Sequence, residues 1–170
     1  AGQEAGGPAF TQQPQRDVEI RVWGQALAAD SVSAVAMAHL AALYNQRARE
    51  GGGWADYLTG EQYARRSLAL RVNRNGPAAA TLVATLLAQH RFSEARAAAA
   101  QLVAREPDIP QYRSLPGEVA MELGDWSTAH AMLDSLWRER AVLSIAPRLA
   151  RWAEINGRLA EARTLLDSAR

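Results

Sequence analysis

The sequence contains no cysteine and no lysine, and the absence of cysteine removes several kinds of chemistry at once. Without cysteine, the chain cannot form a disulfide, a thiolate zinc site, an iron–sulfur cluster or a thiol nucleophile. No run of apolar residues approaches the roughly eighteen that a membrane span needs. An excess of charge is also lacking, because 19 arginines are balanced by 18 acidic residues. Such a chain offers no electrostatic footprint for nucleic acid or for an anionic membrane surface.

Alanine is the abundant residue, with 36 among 170 positions, and this favours helices that pack closely. The length suits one domain with its own core. The chain starts at Ala1, and its first fifteen residues are rich in Gly, Gln and Pro, with Phe10 as the one large apolar residue. This start favours an exported protein, extracellular or periplasmic, from which a signal peptide has been removed. The alternatives are that the chain is an expression fragment, and that the protein is cytoplasmic.

Three segments align at a spacing typical of a helix–turn–helix repeat. His90 lies 34 residues before Gly124, and Gly124 lies 33 residues before Gly157. At each of these positions one helical pattern ends, and after a polar and a bulky residue the next begins. The end of the first helix calls for a residue that tolerates left-handed backbone, which glycine does. Ser93 and Ser127 are the candidate caps of the helices that follow.

The period and its apolar positions resemble the tetratricopeptide repeat (TPR) over about residues 31–170. The matches to the first helix of the family's pattern are the pairs Leu40-Ala41, Leu82-Val83, Pro116-Gly117 and Leu149-Ala150. Those to its small second-helix position are Ala95, Ala129 and Ala162, and its closing proline matches Pro107. The resemblance implies an all-α fold, a TPR-like α-solenoid of antiparallel helix pairs forming a short right-handed superhelix. It also implies protein–protein interaction without catalysis.

The repeats divide the chain into a series of predicted units. These are a tail at 1–16, a half-repeat helix at 17–30, a long first repeat at 31–75, and further repeats at 76–109, 110–142 and 143–170. The alternation over residues 18–22 also permits a strand. Because the first repeat exceeds the period by eight residues, we expect a glycine-rich insert over 50–58 and a second helix that starts near Gly60.

The last repeat is predicted to be truncated and uncapped, which favours self-association of the chain. A repeat buries its apolar face only against its neighbours, so that two unlike ends favour head-to-tail stacking and, if no ring closes, a filament. The partners would then be copies of the same protein, in an exported structural assembly. The candidate residues at the ends are Phe10, Ile20, Trp23, Leu27, Leu165, Leu166 and Arg170.

The alternative functions are a monomeric adaptor that binds a partner peptide in its concave groove, or an accessory domain of a larger protein. In the resembled family the first helix of each repeat lines that groove. The candidate groove residues are Asn45, Gln46, Gln111, Glu118, Glu122, Arg151 and Glu154. This set lacks a close cationic pair and does not match the family's carboxylate-gripping cluster. Its glutamates suit a basic segment, or they form a solvated acidic face.

No motif for a metal, a cofactor or catalysis stands out. His39, His90 and His130 lie 51 and 40 residues apart, without a pair at i, i+4. The sequence has no Gly-x-Ser-x-Gly elbow and no glycine–lysine phosphate loop. We therefore predict a non-enzymatic protein without a cofactor. The tryptophans of the repeats are expected in core or inter-repeat packing: Trp54, Trp126, Trp137 and Trp152.

Overall fold

The structure is a computed structural model that describes residues 13–139 and 143–168. Within those ranges the chain forms helices and turns and no strand, as the predicted all-α class requires. The helices in chain order are α1 (Gln13–Ala29), α2 (Ala34–Arg49), α3 (Trp54–Leu70), α4 (Gly76–Ala88), α5 (Phe92–Arg105), α6 (Pro110–Arg113), α7 (Leu115–Glu122), α8 (Trp126–Glu139), α9 (Ala146–Ile155) and α10 (Leu159–Ser168). A 3₁₀ turn at Leu143–Ile145 precedes α9.

Successive helices pack on one another along the chain, and alternate helices also touch. α2 contacts α3 and α4, α4 contacts α5 and α7, and α9 contacts α8 and α10. Two helices lie in each of the predicted ranges 31–75, 76–109 and 143–170, whereas 110–142 holds the short α6 before α7 and α8. α6 and α7 meet at Ser114, and Pro116 stands in the first turn of α7, where its missing N–H costs no helical hydrogen bond.

Residues 18–22 lie in the middle of α1, so the strand alternative is wrong. The helix is held by its contact with α2, where the indole of Trp23 stacks on His39 with 3.9 Å between ring centroids and 6° between planes. The buried guanidinium of Arg16 pairs with Glu50, at the end of α2, and with its neighbour Asp17. Packing against α2 therefore decides between the two periodicities that the sequence permits.

The glycine-rich insert is shorter than predicted, because α3 begins at Trp54 and not near Gly60. Gly51 closes α2 with φ of +103°, and the amide of Gly52 donates to the carbonyl of Arg47 at 2.9 Å. A β-carbon on Gly52 would lie 2.5 Å from a carboxylate oxygen of Asp56. That carboxylate accepts a two-pronged ion pair from Arg47, with nitrogen–oxygen distances of 2.5 and 2.8 Å. The loop is thus a tight turn clamped by one ion pair.

The predicted left-handed turns are confirmed at all three positions. His90, Gly124 and Gly157 have φ of +57°, +77° and +73°. In each turn the next amide reaches back to a helical carbonyl five residues earlier, as from Asp125 to Ala120 at 2.9 Å. The predicted serine caps are wrong. Ser93 lies inside the first turn of α5, whose N-cap residue Arg91 makes no side-chain cap hydrogen bond. In α8 the carboxylate of Asp125, nearer the helix start, accepts the cap hydrogen bond from the Thr128 amide.

Small residues let the helices approach closely at the core. Ala95 and Ala129 are at most 1% exposed, and Ala162 is 8% exposed, as their match to the family pattern implies. The buried residues form a cluster around α4, another around α8 and α9, and a small C-terminal one of Ala150, Ala153 and Ala162 on α9 and α10. The first contains Ala41, Ala64, Leu82, Val83, Leu86, Ala95, Ala99 and Val119, and the second contains Ala120, Met121, Ala129, Leu133, Leu136, Ile145 and Leu149.

The tryptophans do not all pack in the core. Trp126, Trp137 and Trp152 are partly buried against the C-terminal clusters, whereas Trp54 is 55% exposed. The prediction is wrong for Trp54, which is the first residue of α3 and keeps more than half of its side chain in solvent. Its ring meets Tyr57 edge-on.

An ion-pair network joins the first and second repeats. Glu61 of α3 is about nine-tenths buried and accepts from Arg65 at 2.8 Å and from Arg91 at 2.6 Å. Gln89 donates to the same carboxylate at 2.9 Å. Burial raises the pKa of Glu61, but hydrogen bonds from Arg65, Gln89 and Arg91 together outweigh burial, so that the pKa lies below its usual value. The exposed Glu94 shares both arginines.

Candidate functional site

The surface formed by α2, α4, α7 and α9 is the candidate functional site, because it carries open cavities between packed helices. The first cavity lies between α2 and the start of α4 and has a volume of about 200 Å³. Its apolar walls are Val35, Ala38, Ala42 and Pro77, and its polar edge is His39, Arg71, Arg74 and Asn75. We call it the arginine-rimmed cavity. Arg71 and Arg74 are exposed and take part in no ion pair among the described residues.

A chain of buried hydrogen bonds fixes the turn that carries the two arginines. The side-chain amide of Asn75 donates to the Ser67 hydroxyl and to the carbonyl of Arg71, both at 2.9 Å. Ser67 in turn donates to the carbonyl of Ala34 at 2.7 Å. Asn75 and Ser67 are at most 7% exposed, so that these bonds link the starts of α2 and α4 to the end of α3 away from water. Side-chain hydrogen bonds therefore tie the backbone of this turn to the helix junction.

Arg74 has φ of +53°, in the left-handed region where asparagine and glycine are the common residues. The neighbouring Asn73 and Asn75 are of a type that tolerates this backbone, yet the arginine occupies it. This conformation aligns the backbone so that Asn75 can reach back to Arg71.

The second cavity lies between α7 and α9 and has a volume of about 340 Å³. Its lining residues are Glu118, Met121, Glu122, Pro147, Arg148 and Arg151. Arg148 pairs with Glu118 at 2.9 Å, and the Ser114 hydroxyl lies 3.0 Å from the same carboxylate oxygen. The guanidinium carbon of Arg151 lies 5.8 Å from the centre of the Trp126 ring. The glutamates of the predicted groove therefore share this cavity with two arginines.

A third cavity, the end groove, lies between α9 and α10 and has a volume of about 470 Å³. Its lining residues are Pro147, Ala150, Arg151, Glu154, Leu159, Ala162, Arg163 and Leu166. Leu159 is 65% exposed and Leu166 is 48% exposed, whereas Ala150 and Ala162 are buried at its floor. A mainly apolar strip between two helices is thus open to solvent.

The structure brings some of the predicted groove residues together and separates others. Glu118, Glu122 and Arg151 line the second cavity, and Arg151 and Glu154 line the end groove. Asn45 is 5% exposed and buried beside α3, and its side-chain oxygen has no hydrogen-bond partner among the described residues. Gln46 lines a small polar cavity between α1 and α2 and donates to Glu50 at 2.7 Å. Gln111 is exposed on α6.

The predicted end residues are also divided by the structure. Ile20, Trp23 and Leu27 are half-buried on α1, whereas the neighbouring Val18 and Val22 are about half exposed. Leu165 packs into the C-terminal core, and Leu166 lines the end groove. The remaining predicted end residues, Phe10 and Arg170, lie outside the described residues.

Sequence reasoning missed the residues that rim the cavities: His39, Arg71, Arg74 and Arg148. A signal existed for two of them, because Arg71 and Arg74 flank a turn and stand three residues apart. Arg148 stands at i−3 from Arg151 on α9, which places both on one helix face. The charge pattern therefore marks these arginines in the sequence. That they rim a cavity follows only from the position of the neighbouring helix.

The histidines all lie against aromatic rings. His130 stacks on Trp152 with 3.6 Å between ring centroids, and His90 meets Phe92 edge-on. Within residues 13–139 and 143–168, no three His, Asp or Glu side chains gather into a potential metal site. None of the described helices is both long and apolar enough to cross a membrane.

No protein-family model and no curated protein sequence matches this chain. Solved structures do match over 92% of it. TTC0263, a thermophilic TPR protein of Thermus thermophilus, is 18% identical with a TM-score of 0.78, over 82% of its own length. MamA is 15% identical with a TM-score of 0.67, over 88% of its length. YrrB, described as a TPR protein with an unusual peptide-binding site, is 15% identical with a TM-score of 0.60, over 77% of its length. The chain therefore has the TPR fold.

Proposed function

We propose that this protein is a non-catalytic interaction module that binds a segment of a partner protein along the surface formed by α2, α4, α7 and α9. The observation that carries the proposal is a pair of open cavities between these helices, of about 200 Å³ between α2 and the start of α4 and of about 340 Å³ between α7 and α9. Each combines apolar walls with charged side chains at its edge, which is the composition of a peptide-binding groove.

The small side chains on the exposed face of α2 support this proposal. Ala38 and Ala42 project into the first cavity where larger residues would fill it. Nothing in the helix itself requires alanine at the exposed Ala42, since a longer polar residue such as glutamine or arginine is nearly as good a helix former. The similarity to YrrB agrees with this assignment, because that protein is described as having a peptide-binding site and shares the fold.

Selection from a random-peptide display library, with the full 170-residue chain as bait, tests the proposal. Two variants block the surface: Ala42→Arg places a long side chain in the first cavity, and Glu122→Arg reverses a charge in the second. We expect one or both to weaken the selected peptides at least about tenfold, equivalent to about 1.4 kcal/mol. Ala97→Arg, at an exposed alanine of α5, is the matched control. Selected peptides that bind all variants equally would contradict the proposal.

Self-association is a second candidate function, and the end groove favours it. A second copy could place the half-exposed Val18 and Val22 of its α1 against Leu159 and Leu166. Such a contact joins unlike surfaces, so that it continues into a filament unless the rotation closes a ring. The apolar strips at opposite ends of the described chain are the support for this head-to-tail arrangement.

Sedimentation velocity over a range of about 1 to 100 µM, concentrations at which weak protein pairs associate, tests self-association. We expect the mass to rise with concentration above that of one 18.4 kDa chain. Leu159→Glu or Val22→Glu should return it to the mass of the monomer. Leu123→Glu, at a leucine that is 46% exposed just after α7, is the control. A constant monomer mass at the highest concentration would exclude this function. Export, and a place within a larger protein, remain predictions from the sequence.

A further inference from the structure

The arginine-rimmed cavity carries two arginines at its edge and no acidic residue. Arg47, Arg65 and Arg91 each bind a carboxylate of this chain. Arg71 and Arg74, by contrast, have no carboxylate partner among residues 13–139 and 143–168, and no acidic residue lines their cavity. Two guanidinium groups are therefore free to bind an anion that comes from outside the chain.

The cavity is also apolar and small. Val35, Ala38, Ala42 and Pro77 form its walls, and its volume of about 200 Å³ is below the roughly 300–1,000 Å³ of a typical small-molecule pocket. A space of this size holds about one branched or aromatic side chain. The ligand class that matches apolar walls and a cationic rim is an apolar side chain with negative charges beside it.

The backbone of Arg74 adds an independent observation. A left-handed arginine is held at a cost that asparagine or glycine would avoid, and the side chain makes no compensating ion pair among the described residues. The buried hydrogen bonds of Asn75 explain why the turn has its shape, but they use the backbone of Arg71 and no part of the Arg74 side chain. The hydrogen bonds that shape the turn therefore give no role to the Arg74 guanidinium.

We propose that the arginine-rimmed cavity binds one apolar side chain of a partner segment whose neighbouring residues are acidic, with Arg71 and Arg74 pairing to the carboxylates. This inference rests on the proposed binding function of the same surface and names the chemistry of its partner. His39 closes the cavity on the α2 side and is held in place by its stack on Trp23.

Fluorescence anisotropy with a short labelled peptide tests the inference. The probe has a central leucine flanked on both sides by glutamates, and it is titrated with the full chain at low and at high salt. Three comparison probes replace the glutamates by lysines, replace the leucine by serine, or consist of a single-stranded oligonucleotide. We expect the acidic leucine peptide to bind tightest, and added salt to weaken it because the rim is exposed.

Variants of the cavity separate loss of binding from loss of fold. We expect Arg71→Ala and Arg74→Gly each to weaken the acidic peptide by about two- to fivefold, as exposed charge pairs do. Arg74→Gly also relieves the left-handed backbone, so its melting temperature should rise while its affinity falls. Ala38→Leu fills the cavity without a change of charge and should weaken binding likewise. Arg96→Ala, at an exposed arginine of α5 that does not line the cavity, is the control.

Several outcomes would overturn the inference. The lysine peptide could bind as tightly as the acidic one, the oligonucleotide could bind more tightly, or Arg74→Gly and Ala38→Leu could leave the affinity unchanged. If display-selected peptides still depend on Ala42 while the acidic peptide has no advantage, the proposed function stands and this inference is wrong. If no peptide distinguishes the blocked surface from the unblocked one, both are wrong.

Discussion

Gly76 and Tyr112 lie so close that the glycine has no room for a side chain. A β-carbon on Gly76 would come within 2.5 Å of several atoms of the Tyr112 side chain. Tyr112 belongs to the short α6 and packs on the first turn of α4. This contact joins the second repeat to the third. Burial raises the pKa of the Tyr112 phenol above its usual value, and the charge of Glu106 acts in the same direction.

This contact predicts a strong coupling between the two positions. Gly76→Ala should lower the free energy of unfolding by about 1–3 kcal/mol, because the ring must move out of its site. In a Tyr112→Ala background the same change meets no ring and should be neutral or stabilising by up to about 1 kcal/mol. Urea unfolding of the four proteins of this double-mutant cycle measures the coupling. Equal effects of Gly76→Ala in both backgrounds would show that the ring is not the obstacle.

Two glycines in open space are predicted to respond to alanine in opposite ways. At Gly24 and at Gly124 a β-carbon would have no other atom within 4 Å, so that sterics between side chains play no part. Gly24 lies inside α1, where alanine should stabilise the fold by about 0.5–1 kcal/mol. Gly124 has φ of +77°, where alanine should destabilise it by about 1 kcal/mol. Thermal unfolding gives both signs, and two changes of the same sign would contradict this explanation.

The ion pair between Arg47 and Asp56 predicts a pH-dependent contribution to stability. The hydrogen bonds from Arg47 lower the pKa of the Asp56 carboxyl in the folded chain, although burial opposes them. A lowered pKa stabilises the fold above the unfolded value of about 3.9, and this stability is lost as the pH falls through the folded pKa. Asp56→Asn should therefore cost about 1–2 kcal/mol at pH 7.

Urea unfolding of Asp56→Asn and of the wild type from neutral to acidic pH measures this contribution. The difference between them should shrink as the pH falls below about 4, since the wild type then also loses its carboxylate. Asp108→Asn, at an exposed residue in the loop before α6, is the control and should follow the wild type. A difference that stays constant down to the acid limit would mean that packing, and not charge, causes the loss.

Glu61 and Glu94 bind the same two arginines, but their different burial predicts different effects. Glu61→Gln leaves Arg65 and Arg91 beside a buried amide and should cost about 1–3 kcal/mol at pH 7. Glu94→Gln should cost less, because its carboxylate is half exposed and water replaces it readily. Urea unfolding at low and high salt compares them, and salt should weaken the contribution of Glu94 more. Equal losses would show that burial does not set the strength of this network.

The sequence predicted the elements that depend on short-range rules. The turns at His90, Gly124 and Gly157 follow from a helix end that needs left-handed backbone, and their spacing gives the repeat. The buried Ala95 and Ala129 follow from the same register, since a small residue is required where two helices cross closely. Fold class was therefore predictable without any knowledge of distant contacts.

The candidate site was predicted only in part, because it depends on contacts between distant residues. The rim at Arg71 and Arg74 is positioned by a hydrogen bond between Ser67 and Ala34, which are 33 positions apart. Likewise, α3 starts at Trp54 because the Arg47–Asp56 pair closes the loop, which glycine content alone does not reveal. Helix register is a local property, whereas a cavity belongs to two helices at once.

Each cation in the ion pairs described above is an arginine, and no lysine occurs in this sequence. Acetylation and ubiquitination act on the lysine ammonium and leave a guanidinium untouched. Neither can therefore retune the charges of these surfaces through a side chain of this sequence. Amine-directed cross-linkers likewise find no side-chain target in it, so a captured partner has to be mapped with carboxylate-directed or photoactivated reagents.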